Sequence, residues 1–209
     1  MLASLTLYLT RSQISSGVGV NHKNSDCMPE IPHLVTERLL LRPFDARDGS
    51  AVEQLAGARE VADTTLTIPH PYPVGGGTAW IATHAGDWER RERLTLAICA
   101  RTAAQQILGA IGLHISMAHL HGEIGYWIGR DAWGNGYATE AARALVSYAF
   151  VQLGLHRVQG RHFTRNPASG RVMQKLGMQL EGVHRDAYMR SDKFENVAVY
   201  AVLAADWGS

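Results

Sequence analysis

Apolar positions recur with a helical period over 138–153. Ala138, Ala141, Ala142, Leu145, Val146, Ala149, Phe150 and Leu153 stand at i, i+3, i+4 and i+7, a single buried stripe that Gly154 stops. An apolar run from Ile124 to Ile128 precedes it, reads as a strand, and breaks at Gly129 and Asp131. Between strand and helix lies the glycine-bearing turn Trp133-Gly134-Asn135-Gly136-Tyr137-Ala138. Upstream, 37–44 reads as a short strand closed by Pro43. Asp45 or Asp48 can cap a helix that turns Ala51, Val52, Leu55 and Ala56 inward. A loop over 63–77, with Pro69, Pro71, Pro73 and a glycine triplet, leads to a helix starting near Thr78. That helix places Trp80, Ile81, His84, Ala85 and Trp88 on one face.

The period then changes to two. Leu94, Leu96, Ile98 and Ala100 alternate with more polar neighbours, 102–106 reads as a turn, 107–115 as a strand, 117–122 as a turn and 123–128 as a strand. Three strands at this spacing predict an antiparallel meander. After the long helix come a strand over 156–164, a short helix over 167–176 ended by Gly177, and strand-like segments over 179–190 and 194–204. Helices on an antiparallel-rich sheet make an α+β domain. No repeat or linker divides it, so the reading is one domain over 33–209 behind a flexible N-terminal arm over 1–32.

Composition narrows the chemistry. Twenty basic against nineteen acidic residues give a formal charge of +1, so no global field recruits nucleic acid or an anionic membrane. Two cysteines, Cys27 and Cys99, cannot build a disulfide framework, and no Cys/His spacing resembles a zinc site. Cys99 reads as a small core residue, and a reducing cytoplasm is the expected location. The ten histidines show no H-E-x-x-H arrangement, and no metal is expected. No apolar run reaches the roughly 18 residues of a membrane span. The first ten residues lack a basic n-region, reading as neither secretion signal nor anchor.

A strand, a glycine turn and a helix start together form an anion site. The first helical N–H groups have no intrahelical partner, the dipole is positive there, and glycines let backbone approach a phosphate. A pyrophosphate-bearing ligand is the expectation, against the plainer alternative of a core helix after an ordinary turn. A second helix start, Asn166-Pro167-Ala168-Ser169, has an N-cap asparagine and a proline at the first helical position. Capping alone would explain Asn166 and Ser169, yet two helix starts can face one ligand.

The segments Glu-Ile-Gly-Tyr-Trp-Ile, Trp-Gly-Asn-Gly-Tyr-Ala-Thr-Glu-Ala and Asn-Pro-Ala-Ser-Gly-Arg-Val-Met-Gln-Lys-Leu-Gly-Met resemble the GNAT superfamily of acetyl-CoA-dependent N-acetyltransferases. Thr-Glu-Arg-Leu-Leu-Leu-Arg-Pro-Phe and the Ile-Pro-His-Pro-Tyr loop extend the likeness to the RimJ/RimL-type ribosomal-protein N-terminal acetyltransferases, over about 34–207. The resemblance implies a mixed, mostly antiparallel sheet with helices on both faces. It also implies acetyl-CoA between the family's fourth and fifth strands, which splay at a bulge. Trp127 and Ile128 would then offer backbone hydrogen bonds to the pantetheine arm. The family's Gln/Arg-x-x-Gly-x-Gly/Ala motif aligns with Trp133 to Ala138, with Trp133 where a side-chain donor is usual. Gly134, Asn135, Gly136, Tyr137, Ala138 and Thr139 would hold the pyrophosphate through main-chain N–H groups. Asn166 would contact CoA, and Arg171 is either a phosphate contact or part of a solvated helix face.

For catalysis Glu123, a few residues ahead of the CoA-binding stretch, is the candidate base, directly or through water, and the resemblance offers Ser169 as the group protonating the CoA thiolate. Their alternatives are an exposed strand carboxylate and helix-start polarity; Tyr126 and Tyr137 are further candidate acids. Glu140 is assigned only the favourable helix-dipole position. The expected acceptor is a protein or peptide α-amino group, with a small amine as alternative and a non-catalytic CoA-binding module as a third reading. The loop over 63–77 and the last strand pair are expected to shape the acceptor site, where no acidic cluster announces a polycation. Relatives often form homodimers, and no segment decides oligomeric state.

Overall fold

The computed structural model describes residues 30–208. Eight strands form one sheet in the order β1-β2-β3-β4-β5-β6-β8-β7. They are β1 (Leu34–Val35), β2 (Leu39–Arg42), β3 (Arg93–Ala100), β4 (Ala103–Ser116), β5 (His121–Ile128), β6 (Arg157–Phe163), β7 (Gln179–Arg190) and β8 (Lys193–Leu203). Every neighbouring pair is antiparallel except β5 and β6. The helices are α1 (Gly49–Ala56), α2 (Arg59–Ala62), α3 (Gly76–Ala82), α4 (His84–Glu89), α5 (Tyr137–Val151) and α6 (Pro167–Lys175). The fold is therefore α+β with a mixed sheet, as expected. The arm lies outside the described residues up to residue 29, Cys27 included; Ile31 already packs against the main core.

Two cores explain the layering. Leu94, Leu96, Ile98, Ile111 and Leu113 join the α5 stripe, with Met173 and Leu176 of the α6 region, on one face. On the other, Ala97, Cys99, Ala110 and Trp127 pack under Val52 and Ala56 of α1, Val61 of α2 and Ile81 of α3. The central strand β3 is thus buried on both sides. The polar neighbours expected along it are Thr95, Ala97 and Cys99, small enough to sit beneath helices. Burial pushes the Cys99 thiol pKa up, which suits a packing role.

Three sequence boundaries shift. The helix expected from Thr78 starts at Gly76 and breaks at Thr83, whose hydroxyl and N–H both donate to Trp80 O and tighten the chain by one residue. Ala85, expected inward, is consequently exposed. The turn over 102–106 shrinks to two residues, because β4 pairs with β3 from Ala103 onward.

The feature that positions a site is the parallel pair. β5 and β6 are in register only from His121↔Arg157 to Ile124↔Gly160. Beyond that, β6 stays with β8 as far as Phe163↔Val197, while β5 stays with β4 as far as Ile128↔Gly109. The sheet therefore forks. The bulge expected at this point is not in β5, whose register with β4 is unbroken; between β3 and β4 the register shifts twice, at Leu108 and over 104–106. Divergent partners, each holding its own strand, open the fork.

Candidate active site

A cavity of about 1110 Å³ occupies the fork and both of its mouths. Among its lining are Glu123, Trp127, Ile128, Gly134, Gly136, Tyr137, Ala138, Thr139, Asn166, Ser169 and Arg171. The structure thus brings together every predicted site residue except Asn135, which supports the turn from behind.

The glycine turn leaves a run of main-chain donors unused. Gly134 and Gly136 have φ of +79° and +76°, left-handed values that side-chain-bearing residues rarely adopt. No side chain caps α5, and the first helical donor with a partner is Glu140, to Gly136 O at 3.1 Å. The main-chain N–H groups of 135 to 139 have no hydrogen-bond partner among the described residues. Asn135 Nδ2 pins the turn by donating to Ala132 O at 3.2 Å and Trp133 O at 3.1 Å. Trp133, standing where the family carries a donor for phosphate, turns its indole N–H back onto Ile128 O at 2.7 Å. It fastens the turn to the end of β5.

Glu140 does more than favour the dipole. It accepts from Thr36 Oγ1 at 2.6 Å, from the Arg38 N–H at 2.9 Å and from Arg38 Nε at 2.7 Å. Arg38 in turn donates to Asn135 O at 3.0 Å and lies 5.0 Å from the centre of the Tyr137 ring. Burial works to raise the Glu140 pKa, but these hydrogen bonds outweigh it and hold the carboxyl below its usual range. The sequence signal was Thr-Glu-Arg-Leu, readable as a strand start but not as a partner for residue 140.

On β5 the main chain alternates. Gly129 N–H donates to Leu108 O at 2.8 Å, which marks those two as a hydrogen-bonded pair. Alternation then turns Trp127 toward β4 and leaves the N–H of Ile128, with the N–H and C=O of Tyr126, facing the fork. Tyr126 rather than Trp127 therefore presents backbone there, alongside Ile128. Tyr126 also brings its hydroxyl to within 2.7 Å of Ser169 Oγ. Burial pushes the Tyr126 pKa up to about 12, against a smaller lowering effect of the Ser169 bond. Ser169 sits in the first turn of α6, where Asn166 caps by accepting its N–H at 3.4 Å. Arg171 reaches the cavity with no hydrogen bond or ion pair among the described residues. Lys175, one turn further, joins it there; its i+4 spacing from Arg171 was the overlooked signal.

Glu123 is not a free surface carboxylate. Arg161 Nε and Nη2 reach its Oε1 at 2.9 and 2.6 Å, and Gln159 Nε2 reaches Oε2 at 2.6 Å. Above it the loop over 63–72 forms a wall, tied across the fork by Arg190 Nη2 to Ala62 O at 3.0 Å and Ile68 O at 2.7 Å, and by Arg165 to Asp63 O at 2.6 Å. Among the described residues there is no cluster of metal-ligating side chains, and no helix is long and apolar enough to cross a membrane.

A forked sheet with an uncapped glycine turn beside it is the architecture of an acyl-CoA-dependent transferase. The acetyltransferase (GNAT) domain family matches residues 38–179, and the chain belongs to that family. It is 31% identical to Bacillus subtilis (strain 168) "Uncharacterized N-acetyltransferase YoaA" over 173 residues, 82% of this chain and 97% of that one. It is 27% identical to the Escherichia coli (strain K12) ribosomal protein uS5-alanine N-acetyltransferase over 84 residues, 40% and 43% of the two chains. Among solved structures, the fold matches RimL, a ribosomal L7/L12 alpha-N-protein acetyltransferase in complex with coenzyme A. That match has a TM-score of 0.73 at 19% identity and covers 83% of this chain and 97% of that one. The protein is an enzyme, an N-acetyltransferase of GNAT type, and GNAT acetyltransferases use acetyl-CoA.

Proposed function

We propose that this enzyme transfers acetyl from acetyl-CoA directly to the α-amino group of a protein or peptide N-terminus. The observation that carries the cofactor half is the set of unpartnered N–H groups over 135–139, in a turn whose residues 136–139 line the cavity. They would take the diphosphate, with Arg171 and Lys175 as cations on α6 and Asn166 nearer the pantetheine. The fork-facing N–H groups of Tyr126 and Ile128 would serve the pantetheine and the thioester oxygen. Acetyl-CoA supplies an activated acyl group; the remaining chemistry belongs to side chains.

The acceptor arrives as an ammonium and loses one proton, by this reading to Glu123 through water, with Arg161 and Gln159 fixing the carboxylate. The amine nitrogen then attacks the thioester carbon. As the C–S bond breaks, the sulfur takes a proton from the Tyr126–Ser169 pair, and the new amide nitrogen loses its second proton to solvent. No covalent enzyme intermediate is needed. Kinship with ribosomal-protein acetyltransferases supports a protein N-terminus, while relatives whose names specify no acceptor leave a small amine as the alternative.

Thiol release from acetyl-CoA, followed with panels of N-terminal peptides and small amines, tests the reading. Turnover with peptides upholds it; turnover with small amines alone replaces it; CoA binding without turnover makes the chain a binding module. Gly136→Val should weaken CoA binding in calorimetry, since valine at φ +76° costs about 1–2 kcal/mol and intrudes on the anion site. Location in the cytoplasm and assembly as a homodimer, open to light scattering, complete the proposal.

A further inference from the structure

The face of the sheet opposite α5 carries side chains in aligned rows. Arg93 is in register with His114, His114 with Glu123, and Glu123 with Gln159. The next row on that face is Thr95, Gly112 and Gly125; the one after ends at Trp127. The middle row is almost bare: a Cβ built on Gly125 would meet nothing within 4 Å. A trough thus crosses three strands within the cavity, with Trp127 along one side and the polar row along the other.

Charge along that row is unbalanced. Glu123 is the one carboxylate among the described residues lining the cavity, and Arg161 already occupies it. The Arg93 guanidinium has a single hydrogen-bond partner among the described residues, His114 Nδ1 at 3.4 Å, and no ion pair. His114 is itself held toward its neutral form, first by burial and then by Arg93. Other arginines, such as Arg42 and Arg157, have a carboxylate partner. Arg93 therefore leaves a positive charge uncompensated at the trough's edge, two strands or about 10 Å from the backbone of Glu123.

We propose that Arg93 selects acceptors bearing a carboxylate close to the reacting amine. The planar guanidinium suits two-pronged recognition of such a group. The shared chemistry has two sources: an acidic residue just after a peptide's N-terminus, or the carboxylate of a free amino acid. The inference rests on the amine-acetylation reading above and names its acceptor class.

The test follows thiol release by wild type and Arg93→Gln in two arms. One uses N-terminal peptides identical except for Asp, Asn or Lys at the second and third positions; the other uses free amino acids beside their amides. Wild type should favour the acidic acceptor over its neutral counterpart by about tenfold in kcat/KM, and the lysine peptide should be poorest. Added salt should shrink the ratio, and Arg93→Gln should bring it near one. Preference in the peptide arm assigns the protein N-terminus, and preference in the amino-acid arm a small acceptor; either upholds the inference. Turnover indifferent to charge, or a preference that survives Arg93→Gln, overturns it alone. No turnover with any acceptor overturns the acetyl-transfer reading and this inference with it.

Discussion

A tyrosine whose pKa burial has pushed up to about 12 stays protonated throughout the physiological range. It is a poorer acid than a free phenol, but it is always loaded, and Ser169 at 2.7 Å gives its proton a path. The two hydroxyls then act as a unit, and their effects should not add. Ser169→Ala and Tyr126→Phe should each lower kcat by about 100-fold, the low end of the span for general acid catalysis, because either change breaks the unit. The double variant should be little worse than the poorer single one, with CoA affinity in calorimetry nearly unchanged. Additive losses would break the pair into independent groups. The sequence singled out both residues but could not join them, since residues 126 and 169 meet only through the fork. Trp133 and Glu140 show the same limit: their local positions were legible, while Ile128 O and Arg38, their partners, belong to other elements.

At the scale of elements, the α3–α4 break buries His84 among Phe44 and Trp80, with neither ring nitrogen hydrogen-bonded among the described residues. Burial lowers its pKa to about 4, with Asp87 opposing. The sign follows from linkage. Above about pH 6.5 the imidazole is neutral folded or unfolded; as pH falls toward 4 the unfolded chain takes up a proton that the fold refuses. Stability contributed by His84 is therefore present above about pH 6.5 and lost toward pH 4. Chemical denaturation should show about 2 kcal/mol less stability at pH 5 than at pH 7, and His84→Leu should flatten that difference. The loop wall gives a second expectation. Arg190→Ala removes the ties to Leu66, Ala62 and Ile68, so acceptor KM should rise several-fold with little change in KM for acetyl-CoA. Helix α5 was legible because its stripe is long and regular; β3 was legible as a strand, but its burial on both faces was not, because its second face carries small residues. The break at Thr83 depends on a hydroxyl–carbonyl bond that periodicity does not encode.

For the whole molecule, the two halves of the sheet share four register pairs along β5 and β6, with the loop ties above the gap. A ligand binding both sides of the fork binds the folded state only. At a hundredfold excess over its Kd, CoA should add about 2.7 kcal/mol and raise Tm by roughly 5–10 °C. Scanning fluorimetry with CoA, and with pantetheine lacking the nucleotide, reads both parts; equal shifts would remove the glycine turn from binding. The composition pointed away from metals, membrane spans and nucleic acid, but neither the fork nor the trough is written in any one segment. Both arise where β6 follows β8 while β5 follows β4.

A ladder that stops after four rungs leaves main-chain groups without partners among the described residues. An arm carrying amides of its own, threaded into that space, would act as a substitute strand and close the sheet. Loading the enzyme would then be the last step of its folding, and an empty enzyme would breathe most along this seam. Hydrogen exchange at Tyr126 and Ile128 should slow more on CoA addition than anywhere else in the strands.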